Sequence, residues 1–195
     1  MDFYHGTIVG DLTELRPFAK TKNNLKEAYV YLTTSRQLAL HYIMDEKNRP
    51  PKWPMLDIRN DGVLVFQEMF SGALEYFYKG LCGYIYHCIG DYEISVESGV
   101  KSCAVSTTPV PIVDYDYVND VYDNIIEYEK YGMFIREKYE ELPQYRHDII
   151  RGIIMRTIKK DNLISDKAHS LYNLFHEKYP QYMNEAEVLN NHGLL

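Results

Sequence analysis

Apolar residues are spaced differently in the two parts of the chain. Up to about residue 115 they form short runs broken by Gly, Pro, Asn and Thr, the punctuation of strands and turns. Strands are predicted at residues 3–5, 29–33, 63–66 and 83–89. A last one at 110–115 is flagged by Pro109 and Pro111 as an edge strand or a strand start. Residues 10–17 read as a loop, and the polar stretch 20–27 as exposed. Thr34 or Ser35 is placed to cap a helix over 36–45 that the prolines at 50 and 51 stop, and a short helix over 73–78 ends at Gly80. Beyond residue 115 the apolar positions recur at helical spacing, with helices predicted at 117–131, 134–141, 145–159, 166–178 and 184–190. Ile149, Ile150, Ile153, Ile154 and Ile158 form one stripe, the signature of a core-facing helix. The pattern is that of an α+β protein. A mixed strand-and-helix part spans 1–115, and a helical region over 116–195 packs on it.

Composition narrows the class. The chain has 195 residues, 46% hydrophobic and 25% charged, which suits a folded globular protein rather than a disordered one. No apolar run is long enough for a membrane-spanning helix, and Met1-Asp2-Phe3-Tyr4-His5 lacks the basic and apolar regions of a signal peptide. A cytoplasmic protein with no membrane partner is the expectation. The net charge of −7 opposes a duplex nucleic-acid partner, which needs clustered cations. Cys82, Cys88 and Cys103 are odd in number and lack zinc-site spacing. Free thiols and no metal are expected. Nineteen tyrosines are the one excess.

Three features carry possible chemistry. Tyr4-His5-Gly6-Thr7 follows the first strand. There Gly6 lets a ligand approach the backbone, while His5 and Thr7 offer donors to a sugar hydroxyl. The same residues also suit a plain strand end and turn. Tyr31 and Tyr42 stand eleven positions apart across a strand and the following helix. Two such rings can enclose a flat aromatic ligand, more strongly if it is cationic, or simply pack in a core. Glu93 and Glu97 follow the fourth strand. A carboxylate beside a sugar ring stabilises an oxocarbenium-like transition state, although either Glu also suits a solvated loop.

Together, Tyr4-His5-Gly6-Thr7, Tyr29-Val30-Tyr31-Leu32-Thr33, Leu38-Ala39-Leu40-His41-Tyr42 and Gly83-Tyr84-Ile85-Tyr86 resemble the His-Tyr-Glu branch of the ADP-ribosyltransferase superfamily. The small rifamycin-modifying enzymes are the most similar in size and layout. The resemblance extends to a group of bacterial proteins with a Tyr-His-Gly-Ser/Thr start. It covers residues 3–115 in patches. It implies a split antiparallel β core, with NAD as substrate. His5 would bind ribose, and the Gly6 backbone would hold the nicotinamide amide. Tyr31 would stack on nicotinamide and Tyr42 would close the slot, and Thr7, by its own chemistry, is a further donor expected to bind the cofactor. The acid would be Glu97 by its position after the fourth strand, with Glu93 second and Glu68 third. Ala39 departs from the polymerases, which have a serine there.

The implied reaction is cleavage of the nicotinamide–ribose bond of NAD⁺ and transfer of ADP-ribose to a protein or small-molecule acceptor. Catalysis would rest on His5, Tyr31 and the acid. Three alternatives stay open. One is a catalytically inactive domain of the same fold that binds a nucleotide or a protein. Another is an RNA 2′-phosphotransferase-like enzyme, which the acidic chain opposes. The last is a helical interaction protein acting through residues 116–195.

Overall fold

The structure is a computed structural model, and it describes residues 1–20, 28–45, 55–94 and 102–192. It belongs to the α+β class and is built on antiparallel sheets. The chain forms two compact units. One comprises Met1–Pro50, Pro54–Phe66 and Leu74–Arg136, and the other Pro51–Trp53, Gln67–Ala73 and Glu137–Leu195.

The first unit is organised by a six-stranded sheet. Its elements are β1 (Asp2–Thr7), β3 (Ala19–Lys20), β4 (Ala28–Thr33), β7 (Gly83–Ile89), β8 (Cys103–Ser106) and β10 (Asp114–Val118). The order is β10-β7-β1-β4-β3, with β8 also pairing with β4. β1 and β7 pair along their whole length, from Asp2 opposite Ile89 to Thr7 opposite Tyr84. β1 and β4 instead meet at one register pair, Tyr4 opposite Thr33. The sheet therefore loosens just where His5 begins.

One face of this sheet buries Phe3, Val30, Leu32, Tyr86, Cys88 and Ala104, and the short strands β2 (Glu14–Leu15) and β9 (Val110–Pro111) add Leu15 and Val110. Cross-strand partners share a face. Tyr86 lies between His5 and Tyr115, and Tyr84 between Thr7 and Tyr117, which makes two tyrosine-rich rows. The Tyr86 hydroxyl donates to the Val9 carbonyl at 3.0 Å and accepts from the Leu12 amide at 3.2 Å. Four of the nineteen tyrosines are thus sheet structure, and Tyr86 has an anchored polar tip.

The other face carries α1 (Arg36–Leu40). Ser35 caps it by accepting from the Leu38 amide at 3.2 Å. The predicted helix to residue 45 stops five residues earlier, at Leu40, and His41 forms its C-cap. Arg36 ties the helix across the sheet, with Nη2 2.8 Å from Asp116 and Nη1 2.8 Å from the Tyr128 hydroxyl. Two glycines let the end of α1 come down onto the strands. A Cβ on Gly6 would stand 1.8 Å from the Ala39 carbonyl oxygen, and one on Gly83 would stand 2.5 Å from Ile43 Cγ2.

A three-stranded sheet, in the order β11-β6-β5, joins β5 (Leu56–Ile58), β6 (Leu64–Gln67) and β11 (Phe134–Glu137). The helix predicted at 134–141 is not formed. α3 (Val121–Lys130) closes with Gly132 at φ 70°, whose amide donates to the Glu129 carbonyl while that of Met133 donates to the Tyr128 carbonyl. That is a Schellman stop. The chain leaves it extended as β11, followed by a 3-10 turn at Tyr139–Glu141. The helix predicted from 117 begins at 121. Asp114-Tyr115-Asp116-Tyr117-Val118 alternates at period two and pairs with β7, and Asp120 caps the helix by accepting from the Asp123 amide. α2 (Ala73–Tyr78) lies where it was predicted.

The second unit is largely helical, with α4 (Gln144–Lys160), α5 (Tyr172–Lys178) and α6 (Pro180–Asn191). Ile150, Ile154 and Ile158 of the predicted stripe are buried on α4, whereas Ile149 is exposed. Tyr179 is buried, packs its ring against Phe70 and donates to the Met69 carbonyl at 2.9 Å. Among the described residues no helix is long and apolar enough to cross a membrane.

Gly6→Ala would force a methyl group into a backbone carbonyl that cannot move without lifting α1. The expected loss of stability is about 3 kcal/mol or more, seen as a lower urea midpoint. Gly152→Ala in mid-α4 meets open space within 4 Å and should raise the midpoint in dilute solution, by about 1 kcal/mol of helix propensity. Equal effects of the two substitutions would contradict the packing described for Gly6.

Candidate functional site

The site is assembled where β1 and β4 part. His5 Nδ1 lies 2.8 Å from the Tyr31 carbonyl oxygen. A carbonyl can only accept, so Nδ1 carries the proton. Burial pushes the His5 pKa below its ordinary value, against the opposing pull of this hydrogen bond, so the ring is neutral at neutral pH. Its Nε2 is then left with a lone pair. This reverses one sequence expectation: toward a sugar hydroxyl, a neutral His5 held in this way accepts rather than donates.

Tyr31 is half-buried in mid-β4, and its ring meets that of Tyr29 edge-on at 6.4 Å. Tyr42 follows α1 in a turn, with its amide donating to the Ala39 carbonyl at 3.1 Å. The residue is 38% exposed, but its hydroxyl end is enclosed. Burial raises its pKa, and so do a hydrogen bond to the Cys103 thiol on β8 and the nearby Tyr31 phenol. Tyr42 is therefore a neutral phenol at physiological pH, with its ring partly open and its hydroxyl enclosed. Tyr78 from α2 stands behind it and donates to the His41 carbonyl at 3.4 Å. Burial and the proximity of Tyr42 raise its pKa as well.

Gly6 has a different reason for being glycine than ligand access alone. The side where a Cβ would sit is filled by the Ala39 carbonyl and Ile43. Thr7 turns its hydroxyl to its own backbone, with Oγ1 accepting from the Val9 amide at 3.2 Å. So His5 meets the backbone of Tyr31 and the Tyr42 phenol lies near that of Tyr31, while Gly6 is a packing residue and Thr7 serves the turn after β1.

The sequence offers Glu97, Glu93 and Glu68 as the acid. Glu97 lies outside the described residues. Glu93 is exposed, next to Ile94, which bridges to Ala104 on β8, the strand that carries Cys103. Glu68 is 2% exposed and belongs to the second unit, where its amide donates to the Glu137 carbonyl at 2.9 Å. Among the described residues no cluster of three or more His, Cys, Asp or Glu side chains could hold a metal ion.

Sequence reasoning gives no site role to Cys103, Tyr78, Gly83 or His41. His41 caps α1, fully buried between the rings of Phe66 and Phe134 with Tyr78 edge-on at 5.4 Å. Its Nδ1 donates to the Gln37 carbonyl at 3.0 Å, and among the described residues its Nε2 has no hydrogen-bond partner. Burial pushes its pKa down to about 4, from an ordinary value of 6.5. Comparison of the chain with known protein families, curated proteins and solved structures found no match.

A pH dependence of stability follows from His41. The unfolded chain takes up the proton first as pH falls, so the contribution is complete above pH 6.5 and is lost progressively toward pH 4. By pH 5 the loss from this group is about 2 kcal/mol. Urea midpoints at pH 7 and pH 5 should differ in that direction. In His41→Leu the difference should shrink by about the same amount, and an unchanged pH dependence would refute the assignment.

Proposed function

We propose that the first unit is an NAD⁺-dependent mono-ADP-ribosyltransferase of the His-Tyr-Glu type, on an ADP-ribosyltransferase-like split β core. The observation that carries this reading is the His5–Tyr31 hydrogen bond with the Tyr42 phenol beside Tyr31. It joins three residues of the proposed pattern from two strands and a helix end at the point where the sheet loosens. Neutral His5 would accept a hydrogen bond from a ribose hydroxyl through Nε2. The backbone of Gly6 would meet the nicotinamide amide. Tyr31 and Tyr42 would flank the ring, and the positive charge of bound nicotinamide would be attracted to their faces.

In that reaction the bond from C1′ of the ribose to the nicotinamide nitrogen breaks, and the electron pair leaves with neutral nicotinamide. A carboxylate hydrogen-bonded to the 2′-hydroxyl would stabilise the positive charge that develops on the ribose. Glu97 is proposed for this role, with Glu93 as the second candidate. Glu68 ranks last because of its burial. The acceptor nucleophile, on a protein or a small molecule, would then attack C1′.

The test is release of labelled nicotinamide from NAD⁺, with and without candidate acceptors. His5→Ala and Tyr31→Ala should each abolish most of it. Glu97→Gln should cost roughly 10²–10³ in rate if that residue is the acid. Saturation-transfer NMR with NAD⁺ should detect binding in the wild type and weaker binding in Tyr42→Ala. Binding without turnover would leave a nucleotide-binding domain of the same design. Absence of both binding and turnover would remove the proposal.

A further inference from the structure

We infer that the outer face of α4 is a self-pairing surface that joins two copies of this chain. The inner face of the helix buries Ile150, Ile154 and Ile158. The opposite face presents Tyr145, Asp148, Ile149, Gly152, Met155, Arg156 and Lys159, at i, i+3, i+4, i+7, i+10, i+11 and i+14. That is the spacing of a helix–helix seam. Tyr145 is 59% exposed and Ile149 50%, so this seam puts large apolar groups in water.

Gly152 sits at its centre. A glycine in a helix interior costs about 1 kcal/mol relative to alanine. Nothing among the described residues accounts for it, because a Cβ there would meet no described atom within 4 Å. Packed helices usually keep their axes roughly 8–10 Å apart, and a glycine at the crossing point allows the near end of that range.

The charges select the occupant. A two-fold axis through Gly152, perpendicular to the helix, runs the two copies of α4 antiparallel and places residue 152 − n opposite 152 + n. Asp148 then faces the partner's Arg156, Ile149 the partner's Met155 and Tyr145 the partner's Lys159. These are an ion pair, an apolar pair and a cation–π pair, each occurring twice. A parallel arrangement would set like charges against each other. Arg156 and Lys159 have no bonding partner among the described residues. Asp148 accepts from Gln144 Nε2 at 3.1 Å on its own helix, and Arg146 stands 5.6 Å from the Tyr145 ring centroid. Neither contact crosses the seam. One helix pair buries an area at the low end for specific interfaces, so the dimer is weak, in the micromolar range or above.

Sedimentation velocity of the full chain over a concentration series tests this. The wild type should pass from monomer to dimer. Asp148→Arg and Arg156→Asp should each raise the dissociation constant by about tenfold or more. The two changes combined in one chain should bring it back to near the wild-type value, because the swapped charges again match across the axis. Gly152→Leu should abolish dimerisation with an unchanged circular dichroism spectrum. A wild type that stays monomeric up to roughly 1 mM would overturn the inference. So would a dimer that the single charge changes leave intact, or one that the double change fails to restore.

Discussion

The close approach of the end of α1 to β1 and β7 is the constraint on which the first unit depends. Ala39 sets its carbonyl where Gly6 has no side chain, and Ile43 lies against Gly6 and Gly83 together. A helix normally stands off a sheet by the length of its side chains. Here two glycines on neighbouring strands remove that spacing, and Arg36 anchors the other end of the helix to Asp116. The turn after α1 is thereby held low over the sheet. Tyr42 sits on that turn, so glycine packing helps place it near Tyr31, and its hydrogen bond to the Cys103 thiol holds the hydroxyl.

The same constraint shapes the electrostatics. His41 ends α1 inside an aromatic cage and stays neutral because its charged form would be buried. His5 is neutral for the same reason, and the Tyr31 carbonyl fixes which of its nitrogens keeps the proton. The phenols of Tyr42 and Tyr78 are held protonated. The described part of the site is thus a set of neutral hydrogen-bonding groups. Such a set suits an uncharged sugar hydroxyl and a flat ring. In the proposed reaction, stabilisation of developing positive charge would fall to a carboxylate.

The second unit follows a different logic. Its stability comes from helix faces: the Ile150–Ile154–Ile158 stripe of α4 and the buried Tyr179 with its anchored hydroxyl. Among the described residues the outer face of α4 has no comparable packing. The exposed Ile149 there marks the point at which helical periodicity stops reporting the core. Five isoleucines share one run, but a helix has room for only part of it on the buried side.

Much of this was legible in the sequence because it depends on local physics. Alternation of side chains sets β1, β4 and β7. A serine accepting from the third residue on starts α1, and a glycine after Tyr78 ends α2. His5, Gly6, Tyr31 and Tyr42 are named through a family resemblance of short motifs, and the placement of the turn that carries Tyr42 depends on packing between α1 and the strands. What the sequence could not decide depends on residues far apart in the chain. Phe-Ile-Arg-Glu at 134–137 is too short to declare its period, and pairing with β6 makes it a strand. Cys103 meets Tyr42 only because β8 lies beside β4. The length of α1, the glycine contacts and the proton on His5 follow from packing between elements. Local spacing carries no record of that packing, so only the tertiary structure decides it.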